Sequence, residues 1–249
     1  MEICVATLED ALAAERGGAD RLEVNAALEL GGLTPSPGAF QLIRDESPLP
    51  LTVMLRPRPG GFDYSPVEYR TIIREAEWFL AHGADAVAFG VLKPNGAIDG
   101  RRCLELVELA GNGQAVFHRA FDLTPNPLRA LEELLDLGFT RVMTSGQQPT
   151  VSEGIPLIAP LIDFAAGRIE ILPAGGITIS NVAAVVSQTG CRQIHASLRG
   201  DRYDDSAMHR PQIRFGSASG EGEYRYRATD AEVVRAMREA LDALHVPPG

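Results

Sequence analysis

Four titratable side chains stand at or near the ends of short apolar segments, where they could transfer protons. They are Glu23, His118, Asp122 and His195. Histidine titrates close to neutral pH and a nearby carboxylate tunes its basicity, so such groups serve as general acids and bases. Each of them could instead belong to a structural hydrogen-bond network. We take these four residues as the candidate catalytic groups.

A second set of residues is suited to binding an anion. Arg56 and Arg58 are each followed by a proline, and planar guanidinium groups on a stiffened backbone match the geometry of a carboxylate or phosphate. Gly175 and Gly176 would let backbone amides approach a phosphate, although paired glycines also form ordinary tight turns. The other candidate ligand-binding residues are Asn25, Arg119, Thr144, Ser145 and Ser197.

The elements that must position these residues alternate along the whole chain. Short apolar runs predict strands at 2–6, 21–25, 51–56, 85–90, 114–119, 140–144, 169–174 and 192–197. Helical patterns lie at 8–17, 36–46, 66–82, 100–111, 126–137, 152–166, 179–188 and 229–244. Because parallel strands need crossover connections, this alternation predicts a parallel sheet. Eight such units in 249 residues predict a single α/β domain, a (β/α)8 TIM barrel, with an open doubly wound sheet as the alternative.

Glycines mark the junctions between several predicted helices and the strands that follow them. Gly18, Gly83, Gly138 and Gly190 each stand just after a helix and just before an apolar run. Glycine can adopt the left-handed conformation that closes a helix, after which a strand can begin. These glycines recur at intervals of about two strand–helix units along the chain, and this spacing favours the closed barrel over the open sheet.

Alternation of side chains across each strand predicts which residues face the barrel axis. Branched apolar side chains fill an ordinary barrel lumen, and buried charges are costly unless they are paired or wetted. We expect Glu2 and Glu170, deeper in their strands, to be structural. The polar residues nearest the strand ends are Glu23, Asn25, Arg56, His118, Asp122, His195 and Ser197. This set predicts a ligand site at the C-terminal ends of the strands.

The segment 199–227, after the eighth predicted strand, differs from the rest of the chain. It is rich in Gly, Ser, Asp, Arg and Tyr and shows no periodicity. Loops of this length are usually functional or mobile. We expect an irregular loop over the barrel mouth, with a plain surface loop as the alternative.

Composition and charge limit the partners that the chain could have. There are 23 Lys and Arg against 33 Asp and Glu, a formal net charge of −10, which argues against nucleic acid and anionic membranes as partners. The N-terminal residues lack the pattern of a secretory signal, and no apolar run is long enough to span a membrane. We therefore expect a cytoplasmic protein.

Cysteines and methionines offer a weak case for a metal. The three cysteines, Cys4, Cys103 and Cys191, form no C-x-x-C pair, which argues against a disulfide framework and a structural zinc site. Soft sulfur ligands favour Cu(I), and Cys4 and Met54 are both predicted to face inward. A buried cysteine more often acts as a small apolar residue, and we expect that of Cys103 and Cys191.

Several collinear motifs resemble those of the CutC family over nearly the whole chain. They are Glu2-Ile3-Cys4, Gly17 to Glu23, Gly31 to Ser36, Arg56-Pro57-Arg58, Phe117 to Asp122, Arg141 to Gly146 and Gly175-Gly176-Ile177. The resemblance implies a (β/α)8 barrel, a cytoplasmic setting, a role in copper homeostasis and a homo-oligomer, either a dimer or a tetramer.

The resemblance also implies a Cu(I) site in which Cys4 is one ligand. Some relatives place a second cysteine at the end of strand two, where this chain has Asn25, and the arginine loop carries an extra residue around Pro59. Three functional hypotheses stay open: a copper-binding protein of copper homeostasis, an enzyme acting on a small anionic or phosphorylated metabolite, and a non-catalytic oligomeric scaffold.

Overall fold

Eight parallel strands form a nearly closed barrel in the computed structural model, which describes residues 1–111, 113–215 and 223–245. The sheet order is β7-β6-β5-β4-β3-β2-β1-β8, with all neighbours parallel. The strands are β1 (Glu2–Val5), β2 (Arg21–Val24), β3 (Leu51–Met54), β4 (Ala86–Phe89), β5 (Gln114–Phe117), β6 (Arg141–Thr144), β7 (Glu170–Pro173) and β8 (His195–Ala196). The predicted TIM barrel is therefore confirmed.

Helices connect the strands as predicted. They are α1 (Leu8–Arg16), α2 (Pro37–Glu46), α3 (Pro66–Ala81), α4 (Gly100–Ala110), α5 (Pro127–Asp136), α6 (Val151–Ala165), α7 (Val182–Thr189) and α8 (Ala231–His245). Local chemistry explains their starts: Thr7 and Ser65 form capping boxes with Asp10 and Glu68, which satisfy amides that have no helical partner. No helix in the described part of the chain is long and apolar enough to cross a bilayer.

The four junction glycines adopt the left-handed conformation that the sequence predicts. Their φ angles are 92° for Gly18, 94° for Gly83, 87° for Gly138 and 71° for Gly190. In this region a Cβ is disfavoured, so glycine lets each helix end and the next strand begin within a few residues.

The two faces of the strands differ in size and polarity. Outward-facing residues such as Ile3, Leu22 and Val53 are fully buried in one large core between strands and helices. The lumen holds small apolar groups, which cluster as Met54 with Ala86, Ala88 and Val116, and as Met143 with Leu172 and Ala174. These layers leave room for polar side chains towards the strand ends.

Charged pairs occupy the end of the lumen opposite the mouth. Arg21 Nε lies 2.5 Å from Glu2 Oε2, and Arg141 Nε lies 3.6 Å from Glu170 Oε2. Each carboxylate thus has a guanidinium partner, and this supports the structural interpretation of Glu2 and Glu170.

A β-hairpin replaces part of the expected irregular loop at 199–227. The strands β9 (Arg199–Tyr203) and β10 (Arg225–Thr229) pair antiparallel; residues 216–222 lie outside the described range. The expectation of an irregular segment was wrong for these two strands. The sequence did not reveal them because polar residues dominate both faces of the hairpin. Thr229 is the one buried residue among the described residues of the hairpin strands. No apolar alternation therefore reveals the hairpin.

Candidate functional site

A cavity of about 360 Å³ opens at the C-terminal ends of the barrel strands. Its volume is typical of small-molecule sites, and it lies at the face where TIM barrels place their active sites. The sequence-predicted residues that line it are Cys4, Glu23, Asn25, Arg56, His118, Arg119, Gly175, Gly176, His195 and Ser197. The structure thus gathers most of the predicted site around one space.

His195 lies between two buried carboxylates. Its Nδ1 is 2.8 Å from Glu2 Oε1, and its Nε2 is 3.8 Å from Glu23 Oε2. Strand register explains the arrangement, since Glu2 pairs with His195 across β1 and β8, and Cys4 pairs with Glu23 across β1 and β2. Glu2, His195 and Glu23 thus form a line of proton donors and acceptors that ends at the cavity.

The charges in this line influence one another strongly. Burial disfavours a charged His195, but Glu23, Cys4 and Glu2 together outweigh it and raise the pKa of His195 well above its usual value. Burial also opposes the charge of Glu2, yet the His195 hydrogen bond and the Arg21 charge hold the pKa of Glu2 well below its usual range. For Glu23, burial raises the pKa and His195 only partly offsets it. The pKa values of Glu2 and Glu23, the two carboxyl groups beside His195, are therefore shifted in opposite directions.

Asn25 completes the acidic wall of the cavity. Its Nδ2 donates to Glu23 Oε2 at 2.9 Å and to the Glu23 carbonyl at 3.0 Å. Asn25 Oδ1 and Glu23 Oε1 are buried acceptors with no hydrogen-bond partner among the described residues. A buried polar atom without a partner is costly, so these two atoms favour a ligand that donates hydrogen bonds.

Arg56 provides a buried positive charge on the neighbouring wall. Its Nη1 donates to the carbonyls of Leu30 and Gly32 at 3.1 and 3.2 Å, and its Nη2 donates to the Gly60 carbonyl at 2.8 Å. The Nε has no partner. Arg56 is 9% exposed, and within the described ranges no carboxylate comes within ion-pair distance of it. Carbonyl groups orient the guanidinium but leave its charge uncompensated.

His118 is a neutral hydrogen-bond donor beside Arg56. Burial, aided by the Arg56 charge, lowers the pKa of His118 to about 3. Its Nδ1 accepts from the Ala120 amide at 3.2 Å, which assigns the remaining ring proton to Nε2. That Nε2 is buried and has no partner. Phe62 contacts both groups, since its ring centroid lies 4.7 Å from the His118 ring and 5.1 Å from Arg56 Cζ.

Asp122, Thr144 and Ser145 do not line the cavity. Asp122 accepts from Thr144 Oγ1 at 2.5 Å and from the Ser145 amide at 3.1 Å, and it pairs with Arg119 at 2.8 Å. These contacts satisfy the carboxylate where it lies and tie the loop after β6 to the end of β5. The structure therefore corrects their predicted roles: Asp122 and Ser145 hold Arg119, whose Nη2 donates to Ser145 Oγ at 2.7 Å, and Thr144 holds Asp122.

Arg58 also lies outside the cavity. It pairs with Glu68 at 2.5 Å, donates to the carbonyls of Gly61 and Asp63, and stacks over Tyr64. Arg58 lies in the irregular loop after β3, and its ion pair with Glu68 on α3 holds it away from the cavity that Arg56 lines. The predicted two-arginine clamp is corrected to a single arginine.

Gly175 and Gly176 bring backbone to the cavity wall after β7. Both adopt positive φ angles, 94° and 83°. A Cβ at Gly175 would lie 3.1 Å from Ser145 Cβ and 3.2 Å from Arg119 Cζ. Glycine combines this conformation with so close an approach, so backbone forms this part of the cavity wall.

Sequence reasoning missed several lining residues: Leu28, Phe62, Met143, Ile177 and Arg199. Leu28 and Phe62 come from loops that periodicity does not describe. Arg199 follows Leu198, whose φ of 46° is left-handed, and it pairs with Glu29 at 2.5 Å. Phe62 directly follows Gly60 and Gly61 in the arginine loop. An aromatic residue at that position is the signal that could have identified it.

Glu2, Glu23 and His195 offer ligand atoms that all lie within 4.8 Å of one another. Carboxylate and imidazole suit harder metal ions better than Cu(I). The soft donors Cys4 and Met54 line the same cavity, whereas Cys103 and Cys191 are buried and do not line it. Burial raises the pKa of Cys103 to about 12, which keeps this thiol protonated.

Comparisons with known proteins agree with this architecture. The model of the CutC family matches residues 1–200. A family protein CutC from Treponema denticola is 49% identical over 218 residues, which are 88% of this chain and 89% of that protein. A mouse (Mus musculus) protein named copper homeostasis protein cutC homolog is 41% identical over 237 residues, 95% of this chain and 87% of that one. A crystal structure of a CutC protein from Streptococcus agalactiae superimposes with a TM-score of 0.75 at 31% identity, covering 79% of this chain and 97% of that one.

Fold and site together define a single-domain TIM barrel with a polar cavity at the C-terminal ends of its strands. The chain belongs to the CutC family. The matched family region ends at residue 200, where the β9–β10 hairpin begins.

Proposed function

We propose that the cavity of this CutC protein binds a small organic anion and that Glu23 and His195 exchange protons with it. The observation that carries the proposal is the buried, uncompensated guanidinium of Arg56. Burying an ion costs several kcal/mol unless an opposite charge repays it. The other lining arginines are already paired, Arg119 with Asp122 and Arg199 with Glu29.

The acid–base pair lies on the wall next to this charge. Glu23 and His195 both line the cavity, and Glu2 fixes the ring of His195 through Nδ1. A histidine held by a carboxylate behind it keeps one orientation and directs its other nitrogen forward. The pair could move a proton to or from a ligand anchored at Arg56, which is the chemistry of an isomerase or a lyase.

Binding of small anions tests the proposal. Calorimetric titration with a panel of metabolites bearing carboxylate or phosphate groups should give saturable binding by the wild type. Arg56→Gln removes the charge while keeping hydrogen-bond donors, and it should weaken binding about 100-fold, since charged hydrogen bonds are the strong ones.

Arg58→Gln is the matched control because Arg58 lies on the same loop, outside the cavity. It should leave binding unchanged. A panel that binds wild type and Arg56→Gln equally, or binds neither, contradicts the proposal.

Copper is the second candidate ligand. Relatives of this chain are named for copper homeostasis, and Cys4 lines the cavity together with Met54. One thiol and one thioether make a weaker Cu(I) site than a pair of cysteines, and Asn25 adds a hard donor.

An anaerobic Cu(I) titration against a competing chelator tests this function, with Cys103→Ser as the matched control. Tight one-to-one binding that Cys4→Ser weakens at least tenfold would support it. Failure to compete with the chelator would end it.

The remaining expectations concern the setting of the protein. A homo-oligomer would show in light scattering as a mass at least twice that of the chain, and a cytoplasmic location would show in cell fractionation. The scaffold hypothesis requires a filled lumen, and the cavity of about 360 Å³ argues against it.

A further inference from the structure

We propose that the ligand of the cavity is a small hydroxylated carboxylate rather than a phosphate ester. The inference rests on the proposed function and narrows its substrate class. It follows from which buried polar atoms of the lining residues lack partners and from whether each of them donates or accepts.

The donor side of the cavity matches one carboxylate. Arg56 Nε and His118 Nε2 are buried N–H groups without partners, and both residues contact the ring of Phe62. Arg56 follows β3 and His118 follows β5, and both residues line the cavity. Two such donors, one of them on a charged group, suit the two oxygens of a planar carboxylate.

The charge of the cavity favours a monoanion. Among the described lining residues, Arg56 is the arginine without a carboxylate partner, since Arg119 and Arg199 have theirs. A carboxylate neutralises this single charge. A phosphate monoester carries nearly two negative charges at neutral pH, and the described lining residues include no second arginine without a carboxylate partner to neutralise the extra charge.

The acceptor side requires hydrogen-bond donors on the ligand. Glu23 Oε1 and Asn25 Oδ1 are the unpartnered acceptors. The side-chain amide of Asn25 cannot flip to satisfy them, because its Nδ2 already donates to Glu23. Glu23 pairs in register with Thr52 on β3, the strand that leads to Arg56. Hydroxyl groups close to the carboxylate would satisfy both acceptors while the carboxylate stays on Arg56.

Four three-carbon probes separate these features: racemic glycerate, propionate, glycerol and racemic glycerol 3-phosphate. Glycerate combines a carboxylate with hydroxyls, and each other probe changes one feature. Isothermal titration should show glycerate binding at least tenfold more tightly than propionate, because propionate leaves the buried acceptors unpaired. Glycerol should not bind measurably, and glycerol 3-phosphate should bind at least tenfold more weakly than glycerate.

A variant tests whether Asn25 causes the preference for a hydroxylated ligand. Asn25→Ala should reduce the ratio of glycerate to propionate affinity to about two or less, and the exposed Asn95→Ala should leave the ratio unchanged. If Asn25→Ala proves unfolded by circular dichroism, the four-probe comparison on the wild type decides alone.

The possible outcomes distinguish this inference from the function on which it rests. Equal binding of glycerate and propionate, or tighter binding of glycerol 3-phosphate, overturns the inference while the anion site stands. If none of the three anions binds the wild type, both the inference and the proposed function fail.

Discussion

His195 and Glu2 are register partners on β8 and β1, and their side chains meet at 2.8 Å between Nδ1 and Oε1. Arg21 approaches the other Glu2 oxygen at 2.5 Å, so both oxygens of this fully buried carboxylate are engaged. The two residues join the charged floor of the lumen to the cavity above it. Glu2, which we interpret as structural, thereby orients His195 of the candidate site.

Glu2→Gln should destabilise the protein by about 3–5 kcal/mol, because it leaves the largely buried Arg21 and His195 without their counter-charge. Glu170→Gln is the matched comparison: its side chain is 27% exposed and lies 3.6 Å from Arg141, so water screens the pair and the variant should cost less than Glu2→Gln. Urea unfolding at neutral pH measures both.

The effect of Glu2→Gln should also depend on pH. The pKa of Glu2 is lower in the folded chain than its ordinary value of 4.5, so its stabilising effect is complete above that value and is lost as the pH falls below it. Equal stability of the variant and the wild type at neutral pH would contradict the role given to Glu2.

His118 should make the protein less stable in acid. Its pKa is 6.5 when exposed and about 3 when folded, so below about pH 6 the unfolded chain binds a proton that the folded chain does not. Its contribution should fall by about 1.4 kcal/mol per pH unit between about pH 6 and pH 4. His118→Asn keeps an acceptor for the Ala120 amide and removes this titration, so its stability should fall less steeply with acid. Identical slopes in denaturant melts would show that His118 is not buried as a neutral group.

Gly32 is required by the position of Asn25. Its φ is 83°, and a Cβ there would overlap Asn25 Oδ1. Gly32→Ala should therefore cost about 1 kcal/mol or more beyond Gly190→Ala, whose site has a similar φ of 71° and open space around it. Thermal melts of the two variants give the difference, and equal losses would show that Asn25 lies elsewhere.

Asp122→Asn should destabilise the loop after β6. Asp122 accepts charged hydrogen bonds from Arg119, Thr144 and the Ser145 amide, and the loss of charge should cost about 2–3 kcal/mol. Amide hydrogen exchange should increase at 144–150. Exposed Asp136→Asn should change stability by less than about 0.5 kcal/mol, and unaltered exchange in Asp122→Asn would contradict the account.

The sequence predicts the barrel well because its signals are local. Apolar strands, capping residues and junction glycines each act within a few residues, and the predicted strands and helices are found with small shifts at their ends. β8 is the exception, with two residues, His195 and Ala196, where 192–197 were expected. The β9–β10 hairpin escaped prediction because it has no apolar face.

The site is predictable only in part, because pairing between distant residues decides it. Strand alternation correctly places Glu23, Asn25, His118 and His195 around one cavity. It cannot show that Arg58 pairs with Glu68 or that Asp122 is satisfied by Thr144 and Ser145, since those contacts depend on loop conformation. Sequence therefore identifies the strand residues of the site and misassigns some of the loop residues.

A crystal structure of the protein grown with racemic glycerate tests the central claim most directly. The account predicts a carboxylate within hydrogen-bond distance of Arg56 Nε and His118 Nε2, with a hydroxyl at Asn25 Oδ1. A cavity that holds only water at saturating glycerate, or a carboxylate bound away from Arg56, would contradict it.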